Sequence, residues 1–209
     1  MVAAEVLRRT PHDPHRPDVY FVLLCPIVGE TRVPRLDADG LVLRGFCEHD
    51  LPMVVEASCD GAIPRVTTVP ACADEFRARA WIRLQYARVT DRVGYPFVIA
   101  DSDTDEPLGQ IGLWFLGVGP GRARIGYWVL ARNRRRGLAT RALQTLSPWA
   151  LTLPEVERLE LYVEPWNKGS WRAAETAGFH REGLMRAWEV VGTERRDMYM
   201  YSLLRSDVA

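Results

Sequence analysis

The chain has 209 residues, 47% of them hydrophobic, which is enough for one sizeable core and favours one domain over two. Its 27 Lys plus Arg balance 27 Asp plus Glu, excluding a global field that would draw in nucleic acid or an anionic membrane. The longest apolar stretch, Val19–Val28, is broken by Pro26 and is too short to span a bilayer. Met1–Asp18 lacks the charged head and apolar run of a signal peptide, so a cytoplasmic protein is expected.

Residues 1–38 read as an extension in which repeated prolines prevent a helix and Val19–Leu24 supplies one strand. A domain spanning 39–209 follows. Leu41–Phe46 is its first strand, and helical spacing runs from His49 to Ser58. Asp74–Arg88 is a clearer helix, with Phe76, Ala80, Trp81, Leu84 and Ala87 recurring on one face. Three strands follow as an antiparallel meander: Tyr95–Ala100, Leu108–Val118 and Ala123–Leu130, with glycines at the last turn. A helix begins near Gly137 and runs to about Leu151. Val156–Val163 is a strand, Asn167–Ala177 a short helix ended by Gly178, and Leu184–Val191 and Arg195–Leu203 form a hairpin around Gly192. The fold class is therefore α+β: a mixed, mainly antiparallel sheet flanked by helices. Its local β-α-β crossover, Ala123–Val163, implies one parallel strand pair. Cys25, Cys47, Cys59 and Cys72 form no C-x-x-C pair and have no His at ligand spacing, so buried free thiols and no metal are expected.

The chemistry concentrates at the junction Ile125–Arg141, where a strand gives way to a basic loop that opens a helix. Unpaired N–H groups and a partial positive charge suit a helix start to an anion, above all a phosphate. Gly137 lets the backbone approach closely, and Arg134, Arg135 and Arg136 add charge. The spacing is neither G-x-x-x-x-G-K-[ST] nor G-x-G-x-x-G. A solvated basic turn fits the same residues equally well.

Arg134-Arg-Arg-Gly137-Leu-Ala139 resembles the Arg/Gln-x-x-Gly-x-Gly/Ala motif of the GCN5-related N-acetyltransferases, the GNAT family. Asn167-Lys-Gly-Ser170, Gly178-Phe179 and Glu182-Gly183 are similar to the pattern of its ribosomal-protein N-terminal acetyltransferase branch, the RimJ/RimL-like proteins. Leu41–Arg44, Trp81-Ile82, Ile125–Trp128 and Asp197 with Tyr201-Ser202 extend the likeness over about residues 39–205. The resemblance implies the GNAT fold and transfer of an acetyl group from acetyl-CoA to a primary amine by direct attack on the thioester. It also implies that Val129, Leu130, Arg134, Arg135, Arg136, Gly137, Leu138, Ala139 and Thr140 hold the pantetheine and pyrophosphate, with Asn167 and Ser170 beside the pantetheine and thiol. Many relatives have Gly where Arg135 stands, so that side chain must point outward.

Acyl transfer to an amine needs a base for the ammonium proton, donors for the oxyanion and a donor for the leaving thiolate. Many family members carry a Tyr seven residues after the Asn, but here that position is Ala174. In the RimJ/RimL-like branch a Ser three residues after the Asn is associated with the thiol, and here it is Ser170. The branch likewise implicates a carboxylate at Glu189 as base, and apolar neighbours Trp188 and Val190 would raise its pKa. Glu160, alternating with an apolar face, is expected at solvent. Trp114, Tyr127 and Trp128 are expected to line the acyl and acceptor groove. Expected partners are acetyl-CoA and an amine, with a homodimer as one admissible assembly. Competing readings are a coenzyme A sensor without turnover, a transferase using another acyl-CoA or an aminoacyl-tRNA, and a nucleic-acid protein clamping phosphate with Arg132–Arg136.

Overall fold

The computed structural model describes residues 33–208, so the expected strand Val19–Leu24 and Cys25 lie outside the described residues. The strands form one sheet of eight in the order β1-β2-β3-β4-β5-β6-β8-β7. A hairpin of β1 (Leu36–Ala38) and β2 (Leu41–Arg44) leads into α1 (Leu51–Ser58), the short α2 (Ile63–Val66) and α3 (Glu75–Thr90). The meander is β3 (Gly94–Asp101), β4 (Pro107–Trp114) and β5 (Arg122–Val129), antiparallel throughout. Helix α4 (Leu138–Thr152) crosses over to β6 (Arg158–Val163), which runs parallel to β5. After α5 (Lys168–Thr176), β7 (His180–Val191) and β8 (Glu194–Leu204) close the sheet, β8 pairing with β6.

Period-two alternation divides the core between the two sheet faces. On one face Leu138, Leu143 and Leu146 of α4 and Ala174 of α5 pack on Leu43, Phe97, Ile111, Ile125 and Leu161. On the other, Met53 and Val54 of α1 and Trp81 and Ile82 of α3 cover Val42, Val98, Ala100 and Trp128.

Helix α3 starts where expected, with Asp74 accepting from the Arg77 amide, but its buried face is rotated from the expected one. Ala78, Trp81, Ile82, Gln85 and Val89 are buried, whereas Phe76 is 73% exposed and Leu84 43%. The two stripes share Trp81, which packs edge-on to Phe46 at 5.4 Å; the buried one adds Ala78, Ile82 and Val89 in place of Phe76, Leu84 and Ala87. Gln85 is tolerated inside because its Nε2 donates to the Trp81 carbonyl. The cysteines also depart from expectation. Cys59 and Cys72 are exposed, Cys59 as the cap ending α1 and Cys72 in a turn with φ +48.

Candidate active site

Strands β5 and β6 pair over only three positions, Arg122 with Arg158, Ala123 with Leu159 and Arg124 with Glu160. Beyond these the two strands part. β5 stays bound to β4 as far as Val129, and β6 to β8 as far as Val163. The parting opens a wedge whose β5 wall is the backbone of Ile125–Val129, leaving main-chain groups for a ligand to pair with.

The basic loop lies at the end of that wall. Helix α4 begins with Gly137 as its N-cap, at φ +72 and with no side-chain cap. Among the described residues no acceptor meets the amides of Arg135 through Thr140. A run of open N–H groups at the positive end of a fifteen-residue helix suits an anion. A Cβ built at Gly137 would meet nothing within 4 Å, so the space before the loop is open. Arg135 itself adopts φ +63. That left-handed backbone is one that glycine adopts most readily, and the Arg135 side chain is exposed.

The loop arginines are not equivalent. Arg134 turns back, donating to the Val129 carbonyl at 3.0 Å and to Asp60 at 2.7 Å, so it braces the loop. Arg132 is held by Glu56 and Glu106, which dismantles the expected clamp over Arg132–Arg136. Arg136 donates to Asn133 at 3.1 Å. Asn133, which sequence reasoning missed, is buried and shapes this turn. At Leu130 the amide donates to the Leu108 carbonyl and the carbonyl accepts from the Asn133 amide, so the amide is already used within the fold. Leu138 buries its side chain in the core, leaving its amide as its contribution to the anion site.

The far wall is α5. Asn167 caps it, its side-chain oxygen accepting from the Ser170 amide at 3.2 Å. Ser170 Oγ lies 2.6 Å from the Tyr127 hydroxyl, which also reaches the Ser170 carbonyl at 3.2 Å. This contact bridges β5 and α5, so Tyr127 belongs to the wedge rather than to an open groove. Burial pushes the Tyr127 phenol up to about 12 despite the Ser170 hydrogen bond, which keeps it a donor at neutral pH. Ala174, where a Tyr is common in the family, lies one turn on and is fully buried.

On the opposite sheet face, Trp128 is buried and donates to Gln110 at 2.6 Å, which makes it core rather than groove. Trp114 lies over the paired glycines Gly112 and Gly126 and remains partly accessible. Arg124 holds Glu189 through two contacts, at 2.7 and 2.8 Å. The apolar setting expected for Glu189 is therefore replaced by an ion pair, with each side chain about one-third exposed, at 34% and 33%. The cause is an irregularity in β7. The register shifts between Met185 and Glu189, and Asp197 accepts the Ala187 amide there. Trp188 then stacks on Tyr162 at 5.8 Å, and the Arg124 guanidinium lies 4.8 Å from the same ring.

Glu160 corrects a second expectation, for it is fully buried rather than at solvent. Arg122, Arg158 and the Tyr162 hydroxyl all donate to it. Burial works to raise its pKa, but those donors outweigh burial and hold the carboxyl below its ordinary value. Glu182, bound by Arg158 and Ser202, is pushed down to about 2. Carboxyls lowered on folding stabilise the chain above their unfolded value of 4.5, and that contribution disappears as pH falls toward 2. Urea midpoints should therefore drop between pH 5 and pH 2 less steeply in Glu182→Gln than in the parent. An identical decline in both would remove Glu182 from the account. Among the described residues no cluster of His, Cys, Asp and Glu could hold a metal, and no helix is long and apolar enough to cross a membrane.

Comparison with known proteins meets the same geometry. The acetyltransferase (GNAT) domain family matches residues 40–180. An uncharacterized N-acetyltransferase p20 of Bacillus licheniformis is 28% identical over 174 residues, covering 83% of this chain and 98% of its own. A GNAT-family acetyltransferase from Bacillus anthracis superposes with a TM-score of 0.71 at 20% identity, over 83% of this chain and 99% of that one. Mycobacterium smegmatis RimJ, in complex with a CoA disulfide, superposes at 0.68 with 22% identity, over 84% and 88%. With a strand pair that opens into a wedge, an uncapped helix start at its mouth and a family match across most of the sheet, the chain belongs to the GNAT acetyltransferase family.

Proposed function

We propose that the chain moves an acetyl group from acetyl-CoA to a primary amine, with residues 39–209 as the transferase domain. The coenzyme A carried by RimJ and the open amides of residues 135–140 support a donor whose pyrophosphate rests on the start of α4 and whose pantetheine follows β5. The amine attacks the thioester carbonyl, a C–N bond forms, the C–S bond breaks, and the nitrogen loses a proton. Glu189, oriented by Arg124, accepts that proton directly or through one water. Ser170 Oγ–H donates to the departing sulfur, while the Tyr127 hydroxyl donates to Ser170 Oγ and so strengthens it as a donor.

The observation that carries this reading is the 2.6 Å contact of Tyr127 with Ser170 across the wedge. It supplies a hydroxyl pair where Ala174 leaves the family's common Tyr absent. Ser170→Ala and Tyr127→Phe should each lower kcat by about ten- to a hundred-fold, measured as thiol release with a peptide amine. Because the two act on one sulfur, the double variant should lose little more than either single one. Losses that multiply would separate the pair. A raised KM at unaltered kcat would make Ser170 a contact to the donor only.

A further inference from the structure

Most partly buried arginines on and around this sheet meet carboxylates, Arg141, which donates to the Asp39 carbonyl, being an exception. Arg44 pairs with Asp50 at 2.9 Å, Arg122 with Glu160 at 2.7 Å, Arg124 with Glu189 at 2.7 Å and Arg158 with Glu160 at 2.8 Å. Arg88, in the last turn of α3, differs. It is half-buried, yet it donates only to neutral oxygens, Gln85 Oε1 at 2.8 Å and Thr68 Oγ1 at 3.0 Å. Among the described residues it forms no ion pair. Its guanidinium carbon lies 4.9 Å from the centre of the Trp114 ring. Burial lowers its pKa, and no acidic neighbour opposes that shift.

The location connects Arg88 to the reaction. A Cβ at Gly112 would fall 2.2 Å from Trp114 Cζ2, and one at Gly126 would fall 3.5 Å from Trp114 Nε1. The indole therefore lies flat on the Gly112–Gly126 pair, on the sheet face shared by Gln110 and Trp128. Gly126 directly precedes Tyr127, where the wedge holds Ser170 on the opposite side. Trp114 and the Arg88 guanidinium beside it therefore lie next to the point where the wedge opens, on the face of β5 opposite Ser170. A guanidinium that has lost hydration without gaining a counter-ion is left undercompensated. Its planar fork keeps N–H groups free, and their geometry matches a carboxylate.

We propose that Arg88, seated on Trp114, binds a carboxylate carried by the acceptor, so that the enzyme selects amines bearing such a group. The proposal rests on the reading of the wedge as the acetyl-donor site. The carboxylate could be the α-carboxylate of a free amino acid or an acidic side chain near a peptide N-terminus, and paired acceptors separate the two. One arm compares amino acids with their α-amides; the other compares C-terminally amidated tripeptides with Asp or Asn at the second position. Thiol release from acetyl-CoA is followed with the full chain. In one arm kcat/KM should favour the carboxylate by about ten- to a hundred-fold, the effect of a charged hydrogen-bond partner. Arg88→Gln should bring that ratio toward one, chiefly by raising KM for the acid, and Arg88→Lys should keep part of it. Equal use of acid and amide, a preference that survives in Arg88→Gln, or no acetylation of any acceptor would each overturn the proposal. Calorimetric titration with acetyl-CoA separates the levels. Retained binding without the preference removes only the role of Arg88, whereas failure of the parent chain to bind removes the donor site beneath it.

Discussion

Glu189→Gln should lower kcat/KM for acetyl transfer by about 100- to 1,000-fold, within the range of lost general-base catalysis, while acetyl-CoA affinity holds. Gln keeps the size of the side chain but has no carboxylate to take a proton from an ammonium. Because Arg124 engages both oxygens of Glu189, the pair could instead act as a brace between β5 and β7. Arg124→Met separates these roles, since it keeps the carboxylate and removes the brace. It should cost clearly less than Glu189→Gln. Equal losses, or a Gln variant that keeps the parent rate, would move the base to another group, such as a water held by backbone carbonyls.

Gly137→Val should weaken acetyl-CoA binding by at least about 100-fold, the scale of losing one or two charge-assisted hydrogen bonds to phosphate. Two effects act together. The position has φ +72, which a β-branched residue adopts only at a cost of about 1–2 kcal/mol or more. The new side chain would also stand in the open space where the anion approaches the amides. Neither effect reaches the two packed cores, so the variant should remain folded by thermal denaturation. Gly137→Ala should show the same loss in milder form. Unchanged affinity in a folded Gly137→Val protein, measured by calorimetry, would place the pyrophosphate elsewhere.

The parts of this site that depend on neighbouring residues were legible in the sequence, and those that depend on distant partners were not. A strand, a basic loop and a helix start are contiguous, so the loop around Gly137 stood out by its turn chemistry, whereas Ser170 was singled out only by the resemblance to the RimJ/RimL-like branch. The crossover followed too, because a parallel pair needs a long connection such as α4, although the helices between β2 and β3 join an antiparallel pair. Glu160 shows where alternation stops informing. The pattern assigns it to the face opposite Leu159 and Leu161, but it does not say that Arg122, 38 residues earlier, folds over that face. Glu189 was misjudged for a related reason. Its sequence neighbours are apolar, but the irregularity at Ala187 re-aims the strand, and its partner Arg124 is 65 residues away. In α3 two stripes share Trp81, and the buried one contains Gln85, whose partner, the Trp81 carbonyl, apolar periodicity does not reveal. Arg88 carried no signal at all, because one arginine among many on an exposed helix looks like solvated charge.

The central claim is that the parted strands β5 and β6 hold acetyl-CoA with its sulfur beside Ser170 and its pyrophosphate on the start of α4. A crystal structure of the full chain with coenzyme A tests it most directly. The account predicts the pantetheine pairing with the β5 backbone, the sulfur within hydrogen-bond distance of Ser170 Oγ, and phosphate oxygens on amides between Arg135 and Thr140. Coenzyme A bound outside the wedge, or within it with the sulfur turned away from Ser170 and Tyr127, would contradict it.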